Sequence, residues 1–176
     1  MHVALPSFSI SHDLIKEVDH VKYLGHIITS NASDDMDILR QCRSLYIQCN
    51  VLVRKFFMCS STVKKILFKS YCYPMYTCYL WRRYNMSTLK KLRVAYNNAF
   101  RGLMGYPKYC SASLMFTSHR VSTFEAVIRN LVYKFSERIN RSENRGIVQY
   151  SGPKCMPIFG IHEILKDIII IAIGEE

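Results

Sequence analysis

Acidic side chains are missing from the middle of this sequence: no Asp or Glu occurs from Ile38 through Phe124. Residues 35–110 hold 14 Lys and Arg against two acids, and the whole chain carries a formal charge of +11. Solvated helices usually mix both signs, because ion pairs one turn apart stabilise them and interspersed charges limit self-repulsion. An unbroken positive field suits phosphate binding, so a nucleic acid is the first partner to consider; a basic but idle surface is the alternative.

Glycine and proline are also scarce, with seven and five residues among 176, whereas 49% of the residues are hydrophobic. This composition excludes a disordered or collagen-like chain and predicts a packed core in one domain or two small ones. The seven cysteines include no Cys-x-x-Cys pair and no close histidine. That pattern excludes zinc-ligand spacing and a disulfide framework, so we expect reduced and mostly buried thiols.

Signals for secretion and for membrane insertion are absent as well. Met1 is followed by His2 and Pro6 rather than by a basic segment and a long apolar one. The late apolar run, residues 168–173, is too short to span a bilayer. We expect an intracellular protein, nuclear or cytoplasmic and not secreted, with no membrane partner.

Motifs for catalysis by this chain alone are missing. The six histidines are scattered, and neither a Ser-His-Asp pattern nor a glycine-rich phosphate loop occurs. Asp34 and Asp35 are adjacent and could in principle hold Mg²⁺ for nucleotidyl transfer. Their place at the start of a predicted helix explains both acids as capping and first-turn residues, so we expect no metal and no cofactor in this chain.

The hydrophobic periodicity predicts strands first and helices afterwards. Residues 8–10 and 14–15 favour short strands, and His20 to Thr29 favours a longer one. After Ser33 or Asp34 as the N-cap, apolar residues recur at steps of four and three, which is typical of one buried helical stripe. The stripe consists of Ile38, Cys42, Leu45, Cys49, Leu52 and Phe56.

Three further helices are predicted. One follows Ser60–Thr62 with Val63, Ile66 and Leu67 on its inner side, and Pro74 either kinks this helix or starts the next one. The next runs from Thr88 to Met104, and the last opens at the capping-box pattern of residues 122–125. The expected fold class is mainly α (α+β): a small N-terminal β-hairpin or sheet followed by a helical bundle.

Aromatic residues interleave with basic ones between Tyr71 and Tyr109, and Arg82 and Arg83 follow Trp81. Exposed rings could stack on bases, whereas packing in the helical core is the alternative.

The order of these motifs resembles one segment of the non-LTR (LINE-type, jockey-like) retrotransposon reverse transcriptases, the part just after the catalytic palm. The resemblance starts at Lys22-Tyr23-Leu24-Gly25 and covers about four-fifths of the chain. It continues through residues 26–29, 38–40, 45–46, 63–64, 67–72, 79–81 and 92–101.

The resemblance implies three regions: residues 1–30 like the palm edge and primer-grip hairpin, residues 31–145 like the helical thumb, and residues 146–176 as a divergent tail. It further implies a sequence-independent grip on an RNA–DNA or DNA duplex. The family's aromatic-x-Asp-Asp loop comes before this hairpin and has no match here, so Mg²⁺ is expected only for the complete polymerase. The missing palm or another protein encoded by the element is a further expected partner.

The candidate nucleic-acid-binding residues follow from the resemblance at the hairpin and from the basic helix faces elsewhere. They are Lys22, Tyr23, Leu24, Gly25, Arg40, Arg43, Arg54, Lys64, Lys65, Lys69, Lys90, Lys91, Arg93 and Arg101. Two alternatives stay open: a helical scaffold or protein-interaction module with incidental charge, and a peripheral membrane protein with a cationic amphipathic helix.

Overall fold

In the part of the chain that the structure describes, four short strands precede the helices. The computed structural model describes residues 9–10, 13–14 and 18–143. The described strands are β1 (Ser9–Ile10), β2 (Asp13–Leu14), β3 (His20–Tyr23) and β4 (His26–Thr29). The described helices are α1 (Asp35–Phe56), α2 (Ser61–Cys72), α3 (Met86–Met104), α4 (Ala112–His119) and α5 (Phe124–Asn140), with a 3-10 turn at Cys78–Leu80. The mainly α fold with an N-terminal β segment is therefore confirmed.

The strands form two separate antiparallel pairs, β1 with β2 and β3 with β4. The prediction of one strand from His20 to Thr29 was wrong, because the chain reverses at Leu24 and Gly25 and sets Tyr23 opposite His26. Both turn residues have positive φ, 45° and 81°, as a two-residue hairpin turn of the primed type requires. The alternation of apolar residues continues across the turn and conceals it. Phe8 and Ile15, predicted at the strand ends, lie outside the described residues.

Helix α1 buries the stripe that its sequence predicts. Ile38, Cys42, Leu45, Cys49 and Leu52 are buried, and Phe56 packs against the same core. The thiol of Cys49 donates to the carbonyl oxygen of Ala99 at 3.4 Å, which joins α1 to α3. The two longest helices of the described part thus form the main layer of the core.

Aromatic rings fill the other side of α3. Phe68, Tyr96, Phe100 and Phe116 come from three helices, and the ring centroids of successive pairs lie 4.8–5.5 Å apart. The hydroxyl of Tyr96 donates to the carbonyl oxygen of Ser122 at 2.8 Å, so the buried ring keeps a polar partner. Most of the aromatic residues between 71 and 109 likewise pack in or against the core, although Tyr71, Tyr76 and Tyr109 are exposed.

Helix α2 packs on a different side from the one predicted. It begins after Ser60, whose hydroxyl accepts from the amide of Val63, and it ends before Pro74. Phe68 and Cys72 form its buried side, whereas Val63 is 41% and Ile66 59% exposed. The prediction of an inner side through Val63 and Ile66 was wrong. The larger Phe68 ring takes the core position, and it lies on nearly the opposite side of the helix, about 160–220° around the axis from those two residues.

The ends of α3 and α5 follow local capping. Gly105 has φ 76° and its amide caps the end of α3, as expected for a glycine after a helix. Thr123 is the N-cap of α5, and its hydroxyl accepts from the amide of Ala126. In the described part, no helix combines the length and the apolarity that crossing a membrane would need. The predicted tail from residue 146 onward lies outside the described residues.

The thiols of the described cysteines are all free. Cys42, Cys49, Cys72 and Cys78 are buried, as expected, while Cys59 and Cys110 are half-buried. Burial raises the pKa of Cys72 to about 12, which makes this thiol unreactive near neutral pH.

Candidate nucleic-acid interface

The acids at the start of α1 are bonded inside the fold. Asp37 is fully buried, and its carboxylate joins the hairpin of β3 and β4, helix α1 and the segment between α2 and α3. The donors lie at 2.7–3.1 Å from its two oxygens. They are His26 Nδ1, the Ile27 amide, Arg40 Nε, Thr77 Oγ1 and Trp81 Nε1. We call this set the Asp37 network.

The charge of Asp37 is held in place by these donors. Burial raises the pKa of the carboxyl group, but the hydrogen bonds from His26, Arg40, Trp81 and Thr77 outweigh it. The pKa therefore lies well below its usual value. Asp37 is a structural anion whose two oxygens accept five hydrogen bonds, and its charge is balanced locally by Arg40.

Asp34 and Asp35 also serve the fold. The Oδ2 atom of Asp34 accepts from the amides of Arg82 and Arg83 at 2.7 and 2.8 Å. Asp35 accepts from the amide and the side chain of Asn85. The prediction that capping explains Asp34 was wrong: it occupies the N-cap position but its side chain makes no capping hydrogen bond, whereas Asp35 does lie in the first turn. The backbone amides that both acids bond lie in the segment before α3, about 50 residues away. In the part of the chain that the structure describes, no group of three His, Cys, Asp or Glu side chains could hold a metal ion.

Three of the predicted basic residues have internal partners. Arg40 belongs to the Asp37 network and also donates to Thr77 Oγ1 at 3.3 Å. Arg93 pairs with Glu125 of α5 at 2.8 Å. Arg101 donates to Asn98 Oδ1 and to the carbonyl oxygen of Cys110. Arg40 and Arg93 are therefore paired with carboxylates of the fold, whereas the Arg101 guanidinium is held by neutral acceptors.

The other predicted cations have no carboxylate partner among the described residues. Six are exposed, and no described carboxylate lies within ion-pair distance of any of them. These six are Lys22, Arg43, Arg54, Lys69, Lys90 and Lys91. Lys64 and Lys65 are half-buried, and Lys64 Nζ lies 5.3 Å from the centre of the Phe57 ring. The exposed set spans the hairpin and the first three helices.

Arg43 of α1 and Lys91 of α3 both exert their positive fields on Cys42. Burial raises the pKa of this thiol, while the positive fields of Lys91 and Arg43 both act to lower it. Two cations that are 48 residues apart in sequence thus both act on one thiol of α1. Such a juxtaposition concentrates positive potential along the packed helices.

The tip of the hairpin rests on the body of the protein. Lys22, Tyr23 and Leu24 are exposed, whereas Gly25 lies under the Tyr76 ring. A Cβ atom at Gly25 would come within 3.0 Å of that ring. The contact and the Asp37 network together fix the direction in which the exposed hairpin residues project.

Sequence reasoning missed the Asp37 network. His26, Thr77 and Trp81 were not recognised as partners of Asp37, because no short motif links residues up to 44 positions apart. One available signal was the place of Asp37 next to Ile38 and four residues before Gln41, at the start of the buried side of α1. Lys55, Arg83 and Lys108 are further exposed cations that lie outside the predicted set.

Comparison of the chain with protein-family models, with curated proteins and with solved structures finds no match. The case for this interface therefore depends on the charge distribution and on the contacts described above.

Proposed function

We propose that this chain binds double-stranded nucleic acid, an RNA–DNA or DNA duplex, through the phosphate backbone and without sequence preference. One observation carries the proposal. Between residues 20 and 124 there are three acids, Asp34, Asp35 and Asp37, and all three are bonded within the fold. Apart from Arg93, which pairs with Glu125, the exposed Lys and Arg side chains of that stretch have no described carboxylate within ion-pair distance. Phosphates would supply the missing negative charge.

The resemblance to non-LTR retrotransposon reverse transcriptases supports a narrower form of the proposal. In that form the chain is a thumb-like module that holds the template-primer duplex, with the hairpin of Lys22 to Gly25 as the grip. Catalytic carboxylates and their Mg²⁺ belong to another part of the polymerase, so this chain binds nucleic acid but does not catalyse synthesis. Such a role assigns the protein to the nucleus or the cytoplasm, which agrees with free thiols throughout the described cysteines.

The binding test reverses two charges that the fold brings together. We expect Arg43→Glu with Lys91→Glu to weaken binding to a labelled RNA–DNA hybrid, measured by fluorescence anisotropy. Two lost phosphate contacts reduce the slope of log affinity against log salt by about two. Both side chains are exposed, so the helical circular dichroism spectrum should stay unchanged.

The matched control reverses two exposed cations of α5, Arg129→Glu with Lys134→Glu. This helix mixes both signs, since Glu125 pairs with Arg93 and Glu137 with Arg141. The control makes the same change in net charge, yet it should leave the salt slope unaltered. Equal losses in the two double variants would mean that net charge, and not a defined surface, governs binding, and would refute the proposal.

A protein-interaction module is the second candidate function, favoured by the large apolar side chains exposed on α1 and α2, such as Ile47 and Ile66. Under that alternative, Arg43→Glu with Lys91→Glu leaves nucleic-acid affinity unaffected.

A further inference from the structure

The first two helices and their connection expose an unusual number of large apolar side chains. We define the α1–α2 outer face by Ile47, Val51, Phe57, Met58, Val63 and Ile66, all more than 40% exposed. Ile47 and Val51 are one turn apart on the side of α1 away from its buried stripe. Val63 and Ile66 lie on the side of α2 away from Phe68. Phe57 and Met58 lie in the short connection between the helices, and Lys64 of α2 lies over the Phe57 ring, which joins the end of α1 to the start of α2 on this surface. Apolar side chains exposed in this way indicate a contact site.

The same face is cationic. Arg43 and Arg54 lie within one turn of Ile47 and Val51, respectively, on the outer side of α1, because residues three and four apart are neighbours on a helix. Lys64 lies over the Phe57 ring. No acid occurs anywhere in this stretch, so a segment that complements it has to be both apolar and acidic.

One segment of this chain has that composition. Residues 161–176 contain eight Ile and Leu together with Glu163, Asp167, Glu175 and Glu176, against a single Lys. They lie outside the described residues. In charge and in apolar content they complement the α1–α2 outer face.

The chain is long enough to make this contact. The described part ends at residue 143, and residues 144–160 supply 17 positions before the acidic, Ile-rich segment. Seventeen extended residues reach at most about 60 Å. A domain of this size has a radius of gyration of about 15 Å, so its whole surface is within reach.

We propose that residues 161–176 dock on the α1–α2 outer face of the same chain. The contact does not depend on nucleic-acid binding. If the proposed function also holds, docking sets carboxylates beside Arg43 and Arg54 and therefore competes with phosphates for these side chains.

Methionine oxidation tests the contact in the full chain without nucleic acid. Met58, in the outer face, is 91% exposed, and Met86, at the start of α3, is 62% exposed. Without docking, hydrogen peroxide should oxidise Met58 faster than Met86. We expect the reverse, with Met58 protected several-fold relative to Met86, as quantified by peptide mass spectrometry.

Variants on each side of the contact make the test specific. Ile168→Asp with Ile170→Asp, in the tail, should abolish the protection of Met58 and leave Met86 unchanged. Ile66→Asp should do the same from the helix side, whereas Leu114→Asp, at an equally exposed position on α4, should not.

Two results would overturn the proposal. One is a Met58 that oxidises faster than Met86 in the unaltered chain and responds to none of these variants. The other is a protection that appears only on raising the protein concentration twenty-fold, because the tail would then dock on a second copy. Neither result bears on duplex binding, which is measured separately.

Discussion

Replacing Asp37 by Asn is the sharpest perturbation of this fold, because it removes the charge and keeps the shape. In one orientation the new amide nitrogen faces Trp81 Nε1, which can only donate. In the other it faces the Ile27 amide and Arg40 Nε, which also can only donate. Either way, at least one buried donor meets another donor, and the Arg40 guanidinium loses its counterion.

The magnitude follows from these losses. An unsatisfied buried donor costs about 1–3 kcal/mol, and breaking a buried ion pair by removing one partner costs about 3–5 kcal/mol. The two costs overlap at Arg40, so we expect the free energy of unfolding to fall by about 3–5 kcal/mol. That is a large part of a typical domain's stability of about 5–15 kcal/mol, and it lowers Tm by about 10–15 °C.

Urea and thermal unfolding, followed by far-UV circular dichroism, measure this loss. Asp35→Asn is the control, because its carboxylate bonds Asn85 at the protein surface and the change should cost only about 1 kcal/mol. A variant Asp37→Asn that unfolds within about 0.5 kcal/mol of the unaltered chain would refute the role assigned to the network.

Three further predictions concern stability. The folded pKa of Asp37 is depressed, so its stabilisation is complete above the unfolded pKa of about 3.9 and is lost as the pH falls below it. The stability gap between the unaltered chain and Asp37→Asn should therefore shrink on going from pH 7 to pH 3, and a constant gap in urea titrations would contradict this. Gly25→Ala should lower the free energy of unfolding by about 1–2 kcal/mol, because φ is 81° at this residue and the new Cβ would press on the Tyr76 ring. Gly102→Ala, which has open space around it in α3, should instead stabilise the fold by up to about 1 kcal/mol. Equal Tm shifts for the two variants would contradict this reasoning. Tyr96→Phe should cost about 1 kcal/mol in urea unfolding through the lost bond to the Ser122 carbonyl, and an unchanged midpoint would show that the bond contributes nothing.

Helix existence was predictable where one apolar stripe dominated. Along α1, the steps from Ile38 to Leu52 admit a single buried side, and the structure has that side. Helix α2 offered two apolar sides, through Ile66 and through Phe68, and periodicity cannot choose between them. Only the packing of Phe68 against Tyr96 and Phe100 decides the orientation.

Other elements left weaker signals. Helix α4 has no continuous apolar side in its sequence, since Leu114 is exposed while Met115 and Phe116 are buried. For this reason the helix was not predicted. The turn at Leu24 and Gly25 was hidden because apolar residues continue on both sides of it.

The candidate interface was partly predictable for a similar reason. The absence of acids from residues 38–124 is visible in the sequence, and it correctly indicates that basic side chains such as Arg43 and Lys91 lack carboxylate partners. The use of Arg40 in the Asp37 network was not visible, because it depends on Thr77 reaching the same carboxylate from 40 positions away. Long-range polar contacts of this kind depend on the tertiary fold and leave no periodic pattern.

The salt dependence of duplex binding by the unaltered chain tests the central claim most directly. Affinity for an RNA–DNA hybrid of about 20 base pairs would be measured between 50 and 200 mM salt. Neutralisation of about five phosphates predicts a slope of log affinity against log salt near −4 to −5, and a fall in affinity of about 10²–10³-fold over this range. An affinity that does not change with salt, or an absence of binding at 50 mM, would contradict the account.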